Sequence, residues 1–240
     1  MGFTPYVPPE QLIKDRSEYA RKGIARGKSV VALGYMDGIA FVAENPSDTL
    51  HKISEIYDRI AFAGVGKYSE FEELRIGGIR LADVRGYTYA REDVTAKNLA
   101  NAYSQALSTI FTTQMKPYEV EILVAQIGAA PGDDSMFHIL FDGSVSDEQG
   151  YVAMGGRSDE LSAKLQETFT PGLPLDGAVN VAVEALSAIE ERSFDAGRLE
   201  VAVLDRTRAR RKFRRLSEEV VAGIVPTPDE PGVVPTPDEQ

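Results

Sequence analysis

With no cysteine in the chain, nucleophilic catalysis by a side-chain relay would have to be built from serine or threonine and one of two histidines, His51 and His138. His51 stands beside Lys52 in a polar turn. His138 stands inside an apolar strand, where a hydrogen-bonded structural histidine is the ordinary role. No Gly-x-Ser-x-Gly elbow occurs. Neither histidine has a His or Cys neighbour, so no metal site and no cofactor are expected. The run Gly64-Val65-Gly66-Lys67-Tyr68-Ser69 follows a strand pattern and opens a helix, like the start of a dinucleotide fingerprint. Ser69 replaces its third glycine, and a second helix follows where a parallel strand is required. It reads as a tight strand-to-helix turn, in which Gly66 permits close approach of a peptide backbone. Arg206, Arg208, Arg210, Arg211, Lys212, Arg214 and Arg215 form a basic run without a nucleic-acid-binding module. It fits a solvated hairpin or a contact with an acidic neighbouring subunit.

The wider composition narrows the class. A length of 240 residues allows one large core. A net charge of -11 argues against a general binder of nucleic acid or anionic membrane. No apolar run has the length of a membrane span or of a secretory signal. The absence of cysteine suits a reducing cytoplasm.

The elements that must position these residues follow from periodicity. Pro8-Pro9-Glu10 fits a helix start, and apolar residues recur near a 3.6 period to Arg26, with Gly27 as the stop. Strands are predicted at Ser29–Tyr35 and Ile39–Ala43, joined through Asp37-Gly38, then at Ile53–Tyr57 and Ile60–Gly64. Helices are predicted at Tyr68–Val84 and Thr95–Met115. Further strands are predicted at Val120–Gln126, Phe137–Phe141 and Tyr151–Met154. Helices at Asp159–Phe169 and Leu175–Glu191 and strands at Leu199–Asp205 and Lys212–Leu216 complete the set, with a short helix at Ser217–Ala222. Two antiparallel sheets with helix pairs outside them bury all these faces, although the order alone allows other α+β arrangements. Residues 1–9 read as a mobile arm and 10–222 as the folded domain. Residues 223–240 read as a disordered tail, in which an acidic, proline-rich segment is repeated.

The stretch Ser17-Glu18-Tyr19-Ala20-Arg21-Lys22, followed by Gly27-Lys28-Ser29 and the strand to Tyr35, resembles the signature of proteasome α subunits. Lys116-Pro117-Tyr118 strengthens the resemblance, which covers about Pro9 to Ala222. The Pro/Phe/Tyr-rich arm and Ala43-Glu44-Asn45-Pro46 look like the actinobacterial form. The arm lacks the Tyr-Asp-Arg gate triplet of archaeal relatives. The resemblance implies a four-layer αββα sandwich, the fold of the N-terminal-nucleophile hydrolases. It also implies a non-catalytic subunit of a homo-heptameric α ring that caps proteasome β subunits. A hexameric AAA ATPase would deliver tagged protein substrates to that core in the cytoplasm.

Site residues follow from the same resemblance. Phe3, Pro5, Tyr6, Val7, Pro8 and Pro9 would form the gate. Lys52, in Lys52-Ile53-Ser54-Glu55-Ile56, would pair with the terminal carboxylate of the ATPase tail. Gly27 and Gly66 would bring backbone close to that tail, and Glu18 would lie near its tyrosine. In the catalytic β family a free terminal threonine is assisted by an acid and a lysine, and Glu44 and Lys52 fall where those helpers stand. The nucleophile position falls on Lys28, which has no hydroxyl and is preceded by about thirty residues. The alternative from another class is a self-processing amidohydrolase or peptidase of the same fold. It requires a free nucleophile at residues 28–29.

Overall fold

The computed structural model describes residues 8–225. Helix α1 (Pro9–Ile24) opens with Pro9 in its first turn, where a missing N–H is no loss, and the Pro8 carbonyl accepts from the Leu12 N–H at 3.1 Å. Strands β1 (Val30–Tyr35) and β2 (Gly38–Glu44) form a hairpin through Met36-Asp37, and β3 (Ile53–Tyr57) and β4 (Ile60–Gly66) form another. Helices α2 (Tyr68–Thr88) and α3 (Ala96–Thr113) follow. Thr95 caps α3, its hydroxyl accepting from the Asn98 N–H. Then come β5 (Val120–Gln126), β6 (Ser135–Ile139), β7 (Val145–Glu148) and β8 (Tyr151–Met154). Helices α4 (Ser158–Thr168) and α5 (Leu175–Glu190), strands β9 (Leu199–Asp205) and β10 (Phe213–Arg215), and helix α6 (Glu218–Ile224) complete the described chain.

The strands form two five-stranded antiparallel sheets, ordered β10-β9-β2-β1-β8 and β3-β4-β5-β6-β7. Alternation along each strand sets the layers. Ala32, Phe41 and Leu204 of the first sheet meet Ala63, Leu123 and Ala125 of the second in the central layer. Residues one step along turn outward. Leu33, Val42 and Val203 pack under Leu161 of α4 and Ala182 of α5, while Phe62 and Ile122 pack under Phe71 of α2 and Leu107 of α3. Each large side chain so buried contributes about 1.5–3 kcal/mol of transfer free energy. The result is the expected helix–sheet–sheet–helix sandwich.

Four expectations are corrected in detail. Helix α1 stops at Ile24 with Ala25 as its cap, so Gly27 is not the stop residue. Gly27 is small for another reason: a Cβ there would stand 2.9 Å from the Gly66 amide nitrogen. Helix α2 runs on to Thr88. Strand β7 was not expected, because Val145-Ser146-Asp147-Glu148 is a polar edge strand without a buried face. Finally, Gly223 and Ile224 belong to α6, and Val225 is buried against the outer core with α5 and β9, so the folded domain extends past 222.

Candidate docking site at the start of the first strand

Three backbone segments converge beside the N-terminal end of β1. The link from α1 brings in Gly27 and Lys28, the entry to β3 brings in Lys52, and the end of β4 brings in Gly66. Gly66 has φ +105°, and a Cβ there would fall 1.9 Å from the Glu119 carbonyl oxygen. Only glycine meets both conditions. The next residue, Lys67, uses its N–H to bond that same Glu119 carbonyl at 2.9 Å. The contact between Gly27 and Gly66 therefore holds α1 against the second sheet with no side chain between them.

Lys28, Lys52 and Lys67 each belong to this junction. Lys67 Nζ pairs with Glu70 at 3.4 Å, and Glu70, itself buried, also takes Lys116 at 2.8 Å and the Glu119 N–H at 2.7 Å. Lys28 Nζ lies 3.3 Å from Glu44, whose buried carboxylate is shared with Arg192 at 2.5 Å. Lys52 differs. Its Nζ donates to the Lys28 carbonyl at 2.6 Å, and among the described residues no carboxylate lies within salt-bridge distance of it. Burial lowers its ammonium to about 8, helped by the Lys28 charge and opposed by Glu200 and Glu44.

Glu200, on β9, holds this lysine's backbone. Its carboxylate is 4% exposed and accepts from the Lys52 N–H at 2.9 Å, the Ile53 N–H at 3.2 Å and Asn45 Nδ2 at 2.7 Å. Arg215 Nη2 stands 3.1 Å away and His51 Nδ1 3.5 Å away. Glu200 was missed in the sequence, although a carboxylate inside the apolar run Leu199-Glu200-Val201-Ala202 is the signal that marks it.

The structure thus brings Lys52, Gly27 and Gly66 together. Glu18 lies on the exposed side of α1 and makes no hydrogen bond or ion pair among the described residues. Pro8 and Pro9 sit exposed at the start of α1, while Phe3, Pro5, Tyr6 and Val7 lie outside the described residues. Residue 28, Glu44 and Lys52 converge as in a terminal-nucleophile site. Residue 28 is nonetheless a lysine, joined through Gly27 to α1, and the next residue, Ser29, is buried against Gly155 within the chain, so the nucleophile position carries neither a hydroxyl nor a free amine. The histidines do not complete a relay either. His51 faces Glu200, and His138 Nε2 lies 3.5 Å from Glu121, which accepts from the Gly155 N–H. No hydroxyl bonds either imidazole among the described residues.

Much of the basic run is occupied within the fold. Arg206 forms a half-buried pair with Asp134 at 2.7 Å, Arg211 pairs with Glu55, and Lys212 Nζ donates to the Arg206 carbonyl. Arg215 donates to the Ile53 carbonyl and pairs with Glu200. Arg206, Arg211 and Arg215 tie the β9–β10 hairpin to the second sheet through Asp134, Glu55 and the Ile53 carbonyl, and Lys212 closes the hairpin on itself.

Comparison with known proteins agrees with this architecture. The proteasome subunit family model matches residues 24–204. A "Proteasome subunit alpha" of Kineococcus radiotolerans is 60% identical over 228 residues, covering 92% of this chain and 96% of the relative. One of Xylanimonas cellulosilytica is 58% identical, covering 88% and 91%. One of Saccharopolyspora erythraea is 54% identical, covering 95% and 90%. With the double-sheet sandwich in place, the nucleophile position filled by lysine, and these α-type relatives matched over most of their length, the chain belongs to the proteasome subunit family, as a non-catalytic member of a protein-degrading complex.

Proposed function

We propose that this chain forms the outer, homo-heptameric rings of a cytoplasmic proteasome core. There it gates entry to inner rings of proteolytic β subunits and docks a hexameric AAA ATPase that presents tagged proteins. The observation that carries the docking half is Lys52, a partly desolvated ammonium whose one hydrogen-bond partner among the described residues is a carbonyl, set beside the tight Gly27–Gly66 contact. A terminal carboxylate supplies the anion it lacks, and a compact ammonium suits such a point charge. Lys28 adds positive charge beside it that is already paired to Glu44. The gating half rests on the residue types ahead of α1, Phe3, Pro5 and Tyr6, which the family resemblance assigns to a gate.

The test is binding of a synthetic peptide that ends hydrophobic–Tyr–any to the core assembled from this chain and its β subunit. The free-acid peptide is expected to bind, and its C-terminal amide to bind at least tenfold more weakly. Equal binding of acid and amide overturns the carboxylate reading.

A further inference from the structure

The buried carboxylate of Glu200 has more donors around it than its place in a sheet requires. Two backbone N–H groups, of Lys52 and Ile53, and the Asn45 amide converge on it from the β2–β3 connection. Arg215 reaches it from β10, and Arg215 also donates to the Ile53 carbonyl at 2.5 Å. Asn45 in turn donates to the Leu50 carbonyl at 2.7 Å and accepts from the Ser47 N–H at 3.1 Å, so the whole connection folds around this one anion.

The consequence reaches the side chain of Lys52. A backbone held at the N–H groups on both sides of the Lys52 Cα fixes the direction in which the long side chain leaves. It leaves toward the Lys28 carbonyl, where its Nζ is held at 2.6 Å. A lysine is otherwise a flexible group whose rotamer freedom is lost on binding. The same carboxylate is also a near negative charge that opposes the desolvation of the ammonium.

We propose that Glu200 is the positioning residue of the docking site: its carboxylate pins the main chain at Lys52 and Ile53 and stands as a fixed anion beside the lysine, so that a peptide's terminal carboxylate meets a prealigned cation. This inference rests on the docking role of Lys52 and deepens it. The titratable and charged groups around Lys52 are Glu200, with His51 and Arg215 against it, and Lys28 and Glu44, with Arg192 against Glu44.

The experiment measures binding of a synthetic peptide ending in Leu-Tyr-Ala, with a free carboxylate, to the assembled αβ core between about pH 6.5 and 9. Wild type, Glu200→Gln, Asn45→Ala and Lys52→Ala are compared. Glu200→Gln keeps the shape and removes the charge. It is expected to bind about tenfold more weakly at pH 7 and to lose binding at a clearly lower pH than wild type. Asn45→Ala keeps every charge and loosens the connection, so binding weakens while the pH midpoint stays. If Glu200→Gln does not assemble, wild-type affinity of Asn45→Ala overturns the proposal and a loss with an unmoved midpoint supports it. A Glu200→Gln core with wild-type affinity, or with an unmoved midpoint, overturns the positioning role even if Lys52→Ala abolishes binding, which leaves docking intact. Undiminished binding by Lys52→Ala overturns the docking reading itself and this inference with it.

Discussion

Lys52 Nζ donates to the backbone carbonyl of Lys28 at 2.6 Å, across the junction where helix α1 meets the first strand. That bond places Lys52, which has no carboxylate partner among the described residues, beside the Gly27–Gly66 contact. Lys28 itself contributes its carbonyl to Lys52 and its ammonium to Glu44, 3.3 Å away.

Docking is predicted to depend on pH. In the free chain Lys52 titrates near 8, below its ordinary 10.5. A terminal carboxylate binds the ammonium form, so affinity stays level below about pH 8. Above it, affinity falls toward tenfold per pH unit until the bound ammonium also titrates. The linkage to folding has the opposite slope. Between about pH 8 and 10.5 the unfolded chain holds a proton that the folded chain has released, so this lysine's penalty on stability is present in full below 8 and relieved as pH rises. Calorimetry of tail-peptide binding at several pH values checks the first statement. Denaturant midpoints of wild type and Lys52→Met over the same range check the second.

Gly66→Ala is expected to destabilise the chain. The new Cβ meets the Glu119 carbonyl oxygen at 1.9 Å and forces a non-glycine residue to φ +105°. Backbone strain of this kind costs about 1–3 kcal/mol, and the overlap adds to it. A melting temperature lowered by several degrees is the expected reading, and an unchanged one denies the close approach.

Most of the fold was legible in the sequence, because period and turn chemistry agree there. The β1–β2 hairpin follows from Asp37-Gly38, and α3 follows from Leu99, Tyr103, Leu107 and Phe111, all of which are buried. Strand β7 was not legible: Val145-Ser146-Asp147-Glu148 pairs through backbone alone and carries no apolar alternation. At the candidate site, family resemblance singles out Lys52, Gly27, Gly66 and Glu18; the structure sets Gly27 against Gly66 and Lys52 against the Lys28 carbonyl, with Glu18 apart on the exposed side of α1. Glu200 was not legible, because its value lies in backbone N–H groups about 150 residues away in sequence, which no local pattern encodes.

The basic run should separate into structural and idle members. Asp134→Ala leaves the half-buried Arg206 guanidinium without its charge partner, an expected loss on the order of 3 kcal/mol in unfolding free energy. Arg208→Ala and Arg210→Ala, both exposed, are expected to stay within about 0.5 kcal/mol of wild type. Urea titration distinguishes them. Equal, small effects at all three positions contradict the assignment of the Arg206–Asp134 pair as a tie between the hairpin and the second sheet.

Removal of residues 1–7 tests the gate without disturbing α1, since the helix's first bond is accepted by the Pro8 carbonyl. Hydrolysis of small peptides by the αβ core is expected to speed up severalfold, with the response of the β active sites to covalent inhibitors unchanged. Equal peptide rates for full-length and shortened cores count against a gate in these residues.

The docking role of Lys52 is tested most directly by ATPase-stimulated degradation of a folded, tagged protein, comparing wild-type and Lys52→Ala cores with Arg208→Ala as a surface control. Removing the charge partner of a partly desolvated anion costs about 2 kcal/mol or more, roughly a thirtyfold loss of ATPase affinity. The account predicts that degradation by Lys52→Ala collapses at ATPase concentrations that saturate wild type, while Arg208→Ala behaves as wild type. A Lys52→Ala core with wild-type ATPase affinity and wild-type degradation rate contradicts it.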